Sequence, residues 1–340
     1  MDDPTLTRTP KEARWSRLEP RRQLDPDLAR RMLRFAFPGC SIAALEPLRG
    51  GYRNANFKVS LDSSYLPAVV LRIYEHDAAL CRKEVDLMSL VAGTVPVPDV
   101  LYANTGADGD LPSFAILKFM EGMTLRELKR TGDRAAVAEA AFASGKLLAS
   151  LGKFAFAKAG WLSAGLHVTD PLLEGDDPLP RFVDLCLASP HVQRRLPADF
   201  RSRLHDLMWS WAHRLRQLDS ETSLVHCDFG MRNLLVRREQ DTWQVAALLD
   251  WEFAVSGSPL IDIAHFLRYE LRDSPLLEPH FSRGFLETGG VLPSDLRQLC
   301  RVIDLSALVD TLVRAELPSD VEREIVELLH ATAEDRDPRL

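Results

Sequence analysis

Residues 224–236 read Leu-Val-His-Cys-Asp-Phe-Gly-Met-Arg-Asn-Leu-Leu-Val, and the role given to Asp228 decides the fold. The stretch carries Asp-Phe-Gly (228–230), a tripeptide that holds magnesium in phosphoryl-transfer sites. It also carries His-x-Asp (226–228) with Asn233 five residues on, the spacing of a loop that presents a carboxylate base and an amide metal ligand. Asp228 belongs to both patterns and can serve only one. As the metal ligand it would need a base loop of the form His-x-Asp-x-x-x-x-Asn upstream, and residues 1–223 contain none. Downstream, Ala-Leu-Leu-Asp (247–250) puts Asp250 at the end of an apolar run, 22 residues after Asp228. That gap holds a strand, a turn over 237–242 and a returning strand, which brings Asp250 beside Asn233. Asp228 is therefore read as the base, and Asp-Phe-Gly as a coincidence of spelling.

The chemistry explains the spacing. Moving a γ-phosphoryl group is mostly positioning and charge neutralisation, with a carboxylate to orient and deprotonate the attacking hydroxyl. One Asp must face the acceptor, while an Asn and a second Asp face the metal-bound phosphates. A buried strand pair whose turns are capped by Asp and Asn accounts for the same letters without chemistry.

Bulk properties narrow the class. At 340 residues the chain exceeds one ordinary core, which predicts two lobes. With 46% hydrophobic and 27% charged residues the composition is globular. A net charge of -7 argues against a general nucleic-acid binder; it is compatible with a cationic partner, but many proteins carry such a charge for solubility alone. The five cysteines are odd in number, scattered and never in a CxxC pair, which fits a reducing compartment without disulfides or a zinc site. The polar start has no apolar core of a secretory signal, and no apolar run is long enough to cross a bilayer. The expectation is a cytoplasmic protein with neither nucleic-acid nor membrane partners.

Along the chain, residues 1–24 read as a loose polar arm. Asp25-Pro26 is an N-cap followed by Pro at the first helical position; Leu28, Met32 and Phe35 then share a face up to Pro38-Gly39. Strand-like runs follow at 41–48, 55–61 and 68–74, a helical pattern at 77–92, and two more strands, VPVPDVLYA and SFAILKFM, around a turn at 104–110. After Gly122 the character changes. Thr124 and Glu127 form a capping box, and 134–158, most of 178–218 and 260–335 read as helix, with strands only within 224–250. The plan is α+β: a small antiparallel sheet with one helix, then a mostly helical part, joined near 118–123.

HCDFGMRNLL followed by LLDWEFAVSGSPLIDIAHFLR resembles the aminoglycoside phosphotransferase and choline kinase family of small-molecule kinases, relatives of protein kinases. The likeness runs over roughly 40–270. It implies a protein kinase-like two-lobe fold, with a nucleotide-binding N-lobe over 25–120 and a helical C-lobe over 121–340 that carries the catalytic loop, metal site and acceptor pocket. It implies Asp228 as catalytic base, Asn233 and Asp250 as Mg²⁺ ligands, Asp262 as a brace for the loop and His226 as structural support beneath it. In the N-lobe it implies Arg72 as the cation near the phosphates of ATP or GTP, oriented by Glu84 on the next helix. Arg replaces the Lys of protein kinases here, and the two are not interchangeable; an edge-strand Arg paired with a surface Glu is the plain alternative. Gly50-Gly51 resembles a degenerate phosphate loop and is also a good hairpin turn. Lys118 and Met120 align with the inter-lobe hinge, offering a carbonyl and an N–H to the base, or belong to an ordinary central strand.

The acceptor is expected to be a hydroxyl-bearing small molecule. Glu174, Asp176 and Asp177, with Glu270 and Asp273, fall where the family builds its acceptor pocket and would suit an amine-bearing substrate; solvated acidic loops explain them as well. Trp161 and Trp251 either face a sugar or cation or are buried structural residues. Two rival functions remain. A protein kinase is disfavoured by Asp-Trp-Glu at 250–252 and by only eleven residues between Asp250 and Asp262. A catalytically inactive nucleotide-binding scaffold is disfavoured by intact Asp228, Asn233 and Asp250.

Overall fold

The computed structural model describes residues 24–48, 54–74, 77–106, 111–270 and 275–334. Most of the expected arm, Gly50, Gly51 and Asp273 lie outside the described residues.

Helix α1 (Pro26–Leu33) starts as the Asp25-Pro26 signal predicts, with the Asp25 carboxylate accepting from the Asp27 N–H. It ends before the expected Pro38-Gly39, so Phe35 lies beyond the helix and is 55% exposed, its ring stacked on Tyr102 at 5.2 Å. A five-stranded antiparallel sheet follows, in the order β1 (Ile42–Pro47), β2 (Ala55–Leu61), β3 (Ala68–Tyr74), β5 (Ser113–Lys118), β4 (Val100–Asn104). Helix α2 (Ala78–Val91) is inserted between β3 and β4. The two-residue strand period gives this sheet two apolar faces. Phe57, Val59, Leu71, Ile73, Phe114 and Ile116 pack with Ala29, Met32 and Leu33 of α1. Tyr74, Ala115 and Leu117 join Cys81, Leu87 and Val91 of α2 in the larger core. Because Leu71 and Ile73 face α1, Arg72 between them must face α2. That alternation aims its guanidinium at Glu84.

The rest is mainly helical: α3 (Leu125–Arg130), α4 (Arg134–Leu151), α5 (Pro178–Ala188), α6 (Pro190–Arg195), α7 (Ala198–Ser210), α8 (Ala212–Arg216), α9 (Leu260–Leu267), α10 (Glu278–Glu287), α11 (Leu296–Leu312) and α12 (Ser319–Glu334). Strand β6 (Met123–Thr124) lies beside the hairpin of β9 (Leu234–Glu239) and β10 (Thr242–Leu248), while β7 (Gly160–Trp161), β11 (Val255–Gly257) and β8 (Ser223–Val225) form a third small sheet. The capping box is present: the Thr124 hydroxyl accepts from the Glu127 N–H, and the Glu127 carboxylate accepts from the Thr124 N–H.

Helix α4 stops at Leu151 rather than running to 158. After Gly152 the chain straightens alongside β8, where the Leu224 N–H donates to Phe154 O at 2.7 Å and the Phe156 N–H to Thr222 O at 2.9 Å. Tertiary pairing overrides helical propensity there. Upstream, α4 crosses α10 backbone to backbone: a Cβ at Gly145 would lie 2.0 Å from Phe281 O, and one at Gly284 2.1 Å from Phe142 O. Glycine is required at both points. No helix among the described residues is long and apolar enough to cross a membrane.

Candidate active site

The loop between β8 and β9 is braced from below by one carboxylate. Asp262, fully buried in the first turn of α9, accepts from the His226 N–H at 2.7 Å and the Cys227 N–H at 2.8 Å. Cys227 sits at φ 61°, a left-handed conformation that costs a residue with a side chain on the order of 1–3 kcal/mol and persists only when its surroundings hold it. The Asp262 bonds to consecutive amides supply that hold. Burial pushes the Asp262 carboxyl up to about 7, against the downward pull of the amides it accepts from.

His226 ties the loop to the hairpin. Its Nδ1 accepts from the Asp228 N–H at 3.3 Å, so Nε2 carries the proton and donates to Leu249 O at 3.0 Å. Burial depresses its pKa to about 4, which keeps it neutral in this role. The Trp251 ring meets it edge-on at 4.8 Å, and Phe229, fully buried, packs on Phe266 at 5.8 Å. His226 and the Phe of Asp-Phe-Gly are thus core residues under the loop.

The hairpin closes as the spacing requires. Gln240 and Asp241 at its tip both have positive φ, 45° and 68°, as in a two-residue type I′ turn. Leu234 pairs with Leu248 at the other end, and the Leu249 N–H donates to Asn233 O at 2.9 Å. Asn233 and Asp250 therefore leave the same end of the ladder, Asp250 at φ 68°. Asn233 Nδ2 donates to Asp228 O at 2.9 Å and to Asp228 Oδ2 at 2.8 Å. Both partners are acceptors only, so the amide orientation is forced and Oδ1 turns away from Asp228.

From the sheet side, Arg72 Nη2 reaches Glu84 Oε1 at 2.7 Å and Asp250 Oδ1 at 2.6 Å. The Tyr74 hydroxyl donates to Glu84 Oε2 at 2.6 Å and completes that carboxylate. Burial alone would lower the Arg72 pKa, but Glu84 and Asp250 outweigh it and drive it well above its ordinary value. Burial conversely raises Glu84, with Arg72 pulling it back down. The Arg72 Nε is buried with no hydrogen-bond partner among the described residues.

Glu252 and His265 join the site without a role expected from the sequence. Glu252, buried, accepts from Asn54 Nδ2 at 2.9 Å through Oε2, and its carbonyl accepts from Lys83 Nζ at 3.1 Å. Glu84, Asp250 and Glu252 each bring one carboxylate oxygen within 4.8 Å of the others. His265 stands 3.4 Å from Asp228 Oδ1. The Asp-Trp-Glu spelling was the one available hint of Glu252; the partners Asn54 and Lys83 are too distant in sequence to be read.

The chain from residue 44 to residue 298 matches the model of the phosphotransferase enzyme family. The chain belongs to this family. Among solved structures, the chain is similar to aminoglycoside phosphotransferase APH(4)-Ia in a ternary complex with ADP and hygromycin B. The TM-score is 0.60 at 18% identity, over 88% of this chain and 97% of that one. It is similar too to an aminoglycoside phosphotransferase in complex with GDP and kanamycin, with a TM-score of 0.65 at 20% identity over 91% and 99% of the two chains. At these identities the likeness is one of fold, the kinase-like α+β fold expected from the sequence. Shorter matches occur to acyl-CoA dehydrogenase family member 11 of Homo sapiens, 33% identical over 76 residues, and of Pongo abelii, 42% over 48. These cover 22% and 14% of this chain, and only 9% and 6% of those much longer relatives.

The acidic residues expected at an acceptor pocket differ in their surroundings. Glu270 is buried and engaged: Oε1 takes Lys129 Nζ at 3.0 Å, and Oε2 accepts from the Leu276 and Leu277 N–H groups. It thereby ties Lys129 of α3 to the two amides just before α10. Asp177 precedes α5 at φ 50° and pairs with Arg216 at 2.7 Å, while Glu174 and Asp176 are exposed. Trp251 is buried, whereas Trp161 is half-exposed with Nε1 donating to Leu172 O at 3.3 Å. Lys118 ends β5 with its N–H on Asp99 O at 2.9 Å and Nζ on Asp99 Oδ2 at 3.1 Å; Met120 follows two residues later.

Proposed function

We propose that this phosphotransferase is a small-molecule kinase that moves the γ-phosphoryl group of ATP or GTP to a hydroxyl of a small metabolite or aminoglycoside-like compound. The observation that carries the proposal is the convergence of Asp228, Asn233 and Asp250 at one end of the β9–β10 ladder, with Arg72 bridging Glu84 to Asp250. Among the similar proteins, one is bound to ADP and hygromycin B and another to GDP and kanamycin, which supports the nucleotide and the acceptor class.

The residues fit the groups the reaction needs. Asn233 Oδ1 and the Asp250 carboxylate are oxygen donors suited to a hard divalent cation such as Mg²⁺. The buried, unpartnered Arg72 Nε is a donor that a phosphate oxygen would satisfy. Bound there, Mg²⁺ and the triphosphate supply an electrophilic phosphorus and neutralise its charge. Asp228, a third exposed in its side chain, faces the acceptor and takes the hydroxyl proton as attack proceeds. Asp262 and His226 hold the loop that carries it, and Glu84 fixes the Arg72 fork. Lys118 and Met120, with Gly50 and Gly51, are assigned to the nucleotide; Glu174 and Asp176 remain candidates to meet an amine on the acceptor.

The test is a panel of hydroxylated metabolites and aminoglycosides, read by ADP or GDP release. On the acceptor that turns over, Asp228→Ala is expected to lower kcat by roughly 10²–10⁴ while nucleotide still binds. Near-normal turnover of that variant excludes the mechanism.

A further inference from the structure

Helix α9 brings a second side chain to the loop. His265 lies three residues past Asp262, on the same helical face, and puts Nε2 3.4 Å from Asp228 Oδ1. The other oxygen, Oδ2, takes Asn233 Nδ2 at 2.8 Å. Gly230 makes room for the ring: a Cβ there would lie 3.3 Å from His265 Nε2 and 3.5 Å from Cδ2. The glycine of Asp-Phe-Gly therefore has a steric reason unrelated to the metal-binding tripeptide it spells.

We infer that His265 is a positioning residue for Asp228, donating Nε2–H to Oδ1 so that the carboxylate is clamped between imidazole and amide. The inference rests on Asp228 being the base. An ionised carboxylate only accepts, so the nitrogen facing it must carry the proton. It offers about four lone-pair sites, more than the imidazole and the amide occupy between them. The distance exceeds the usual range of about 2.7–3.2 Å for N–H···O bonds. Catalytic hydrogen bonds are often long before substrate binds and tighten in the loaded complex. A second donor matters because it holds the other oxygen of the carboxylate as well, and misplacing a reacting group by about 1 Å can cost on the order of 10²-fold in rate.

The test uses the full chain with Mg²⁺ and ATP and no added acceptor, so that water takes the phosphoryl group. His265→Phe fills the space without the donor. It is expected to lower kcat by about 10–10²-fold, with KM for ATP within about threefold and the melting temperature unchanged. His265→Gln, whose amide nitrogen reaches the Nε2 position, should recover most of that loss. Gly230→Ala, which crowds the ring, should lose kcat in the same way. Wild-type kcat in His265→Phe, or a lowered melting temperature with no rescue by Gln, overturns the inference. A second readout needs no turnover. In ¹⁵N-labelled protein the His265 Nε2–H signal is expected in slow exchange, and it should shift or broaden away in Asp228→Ala. A signal indifferent to that change overturns the inference as well. A wild-type chain that hydrolyses no nucleotide counts against the kinase reading alone, and the imidazole spectrum still decides the role of His265.

Discussion

At the residue scale, His226 carries the sharpest physical signature. Its folded pKa of about 4 lies below the ordinary value of 6.5, with burial as the main cause. The unfolded chain therefore takes the proton first, and the stability this residue contributes above pH 6.5 is lost as pH falls toward 4. The shift corresponds to about 3 kcal/mol. The advantage of the wild type over His226→Gln, measured by urea unfolding, should shrink by about 3 kcal/mol between pH 7 and pH 4. Asp262 acts with the opposite sign: its raised pKa favours the folded state below about 4, and that gain is lost as pH rises through about 7. Comparing wild type and variant at each pH removes the Asp262 contribution from the difference. A constant difference across that range would mean that His226 is solvated in the folded chain.

At the element scale, the α4–α10 crossing gives the clearest prediction. Gly145→Ala or Gly284→Ala drives a methyl into a backbone carbonyl, and overpacking of this kind costs typically about 1–3 kcal/mol. A melting curve unchanged in both variants would show that the helices do not touch there. Most elements could be read from the sequence because they obey local rules: β2 and β3 begin and end where their strand-like runs do, and Thr124 caps α3 as its spelling requires. The β9–β10 hairpin was legible from two apolar runs and a polar turn. What local rules missed depended on distant partners. The end of α4 is set by pairing with β8, and the two-residue strands β6 and β7 exist only as partners of β9 and β11.

At the scale of the whole molecule, the segment 250–252 is one of the places where sheet and helical part meet. Asp250 takes Arg72, Glu252 takes Asn54, and the Glu252 carbonyl takes Lys83, all of them side chains from the β-rich part. The Arg72–Glu84 pair was readable from strand period and a spacing of twelve, but the Asn54–Glu252 bond spans 198 residues and no local pattern announces it. Glu270 shows the converse: acidic residues near a presumed pocket carry no sign in the sequence of being buried on backbone amides. In the proposed mechanism Asn233 and Asp250 share a divalent cation while Asp228 faces the acceptor. Its most direct test is Mn²⁺ binding in the presence of a non-hydrolysable ATP analogue, followed by electron paramagnetic resonance. Asp250→Asn should weaken binding by more than about tenfold, because a charged oxygen ligand is lost. Asp228→Asn, which still accepts from the Asn233 amide, should bind within about threefold of wild type. Undiminished binding in Asp250→Asn, or an equal loss in Asp228→Asn, would contradict the account.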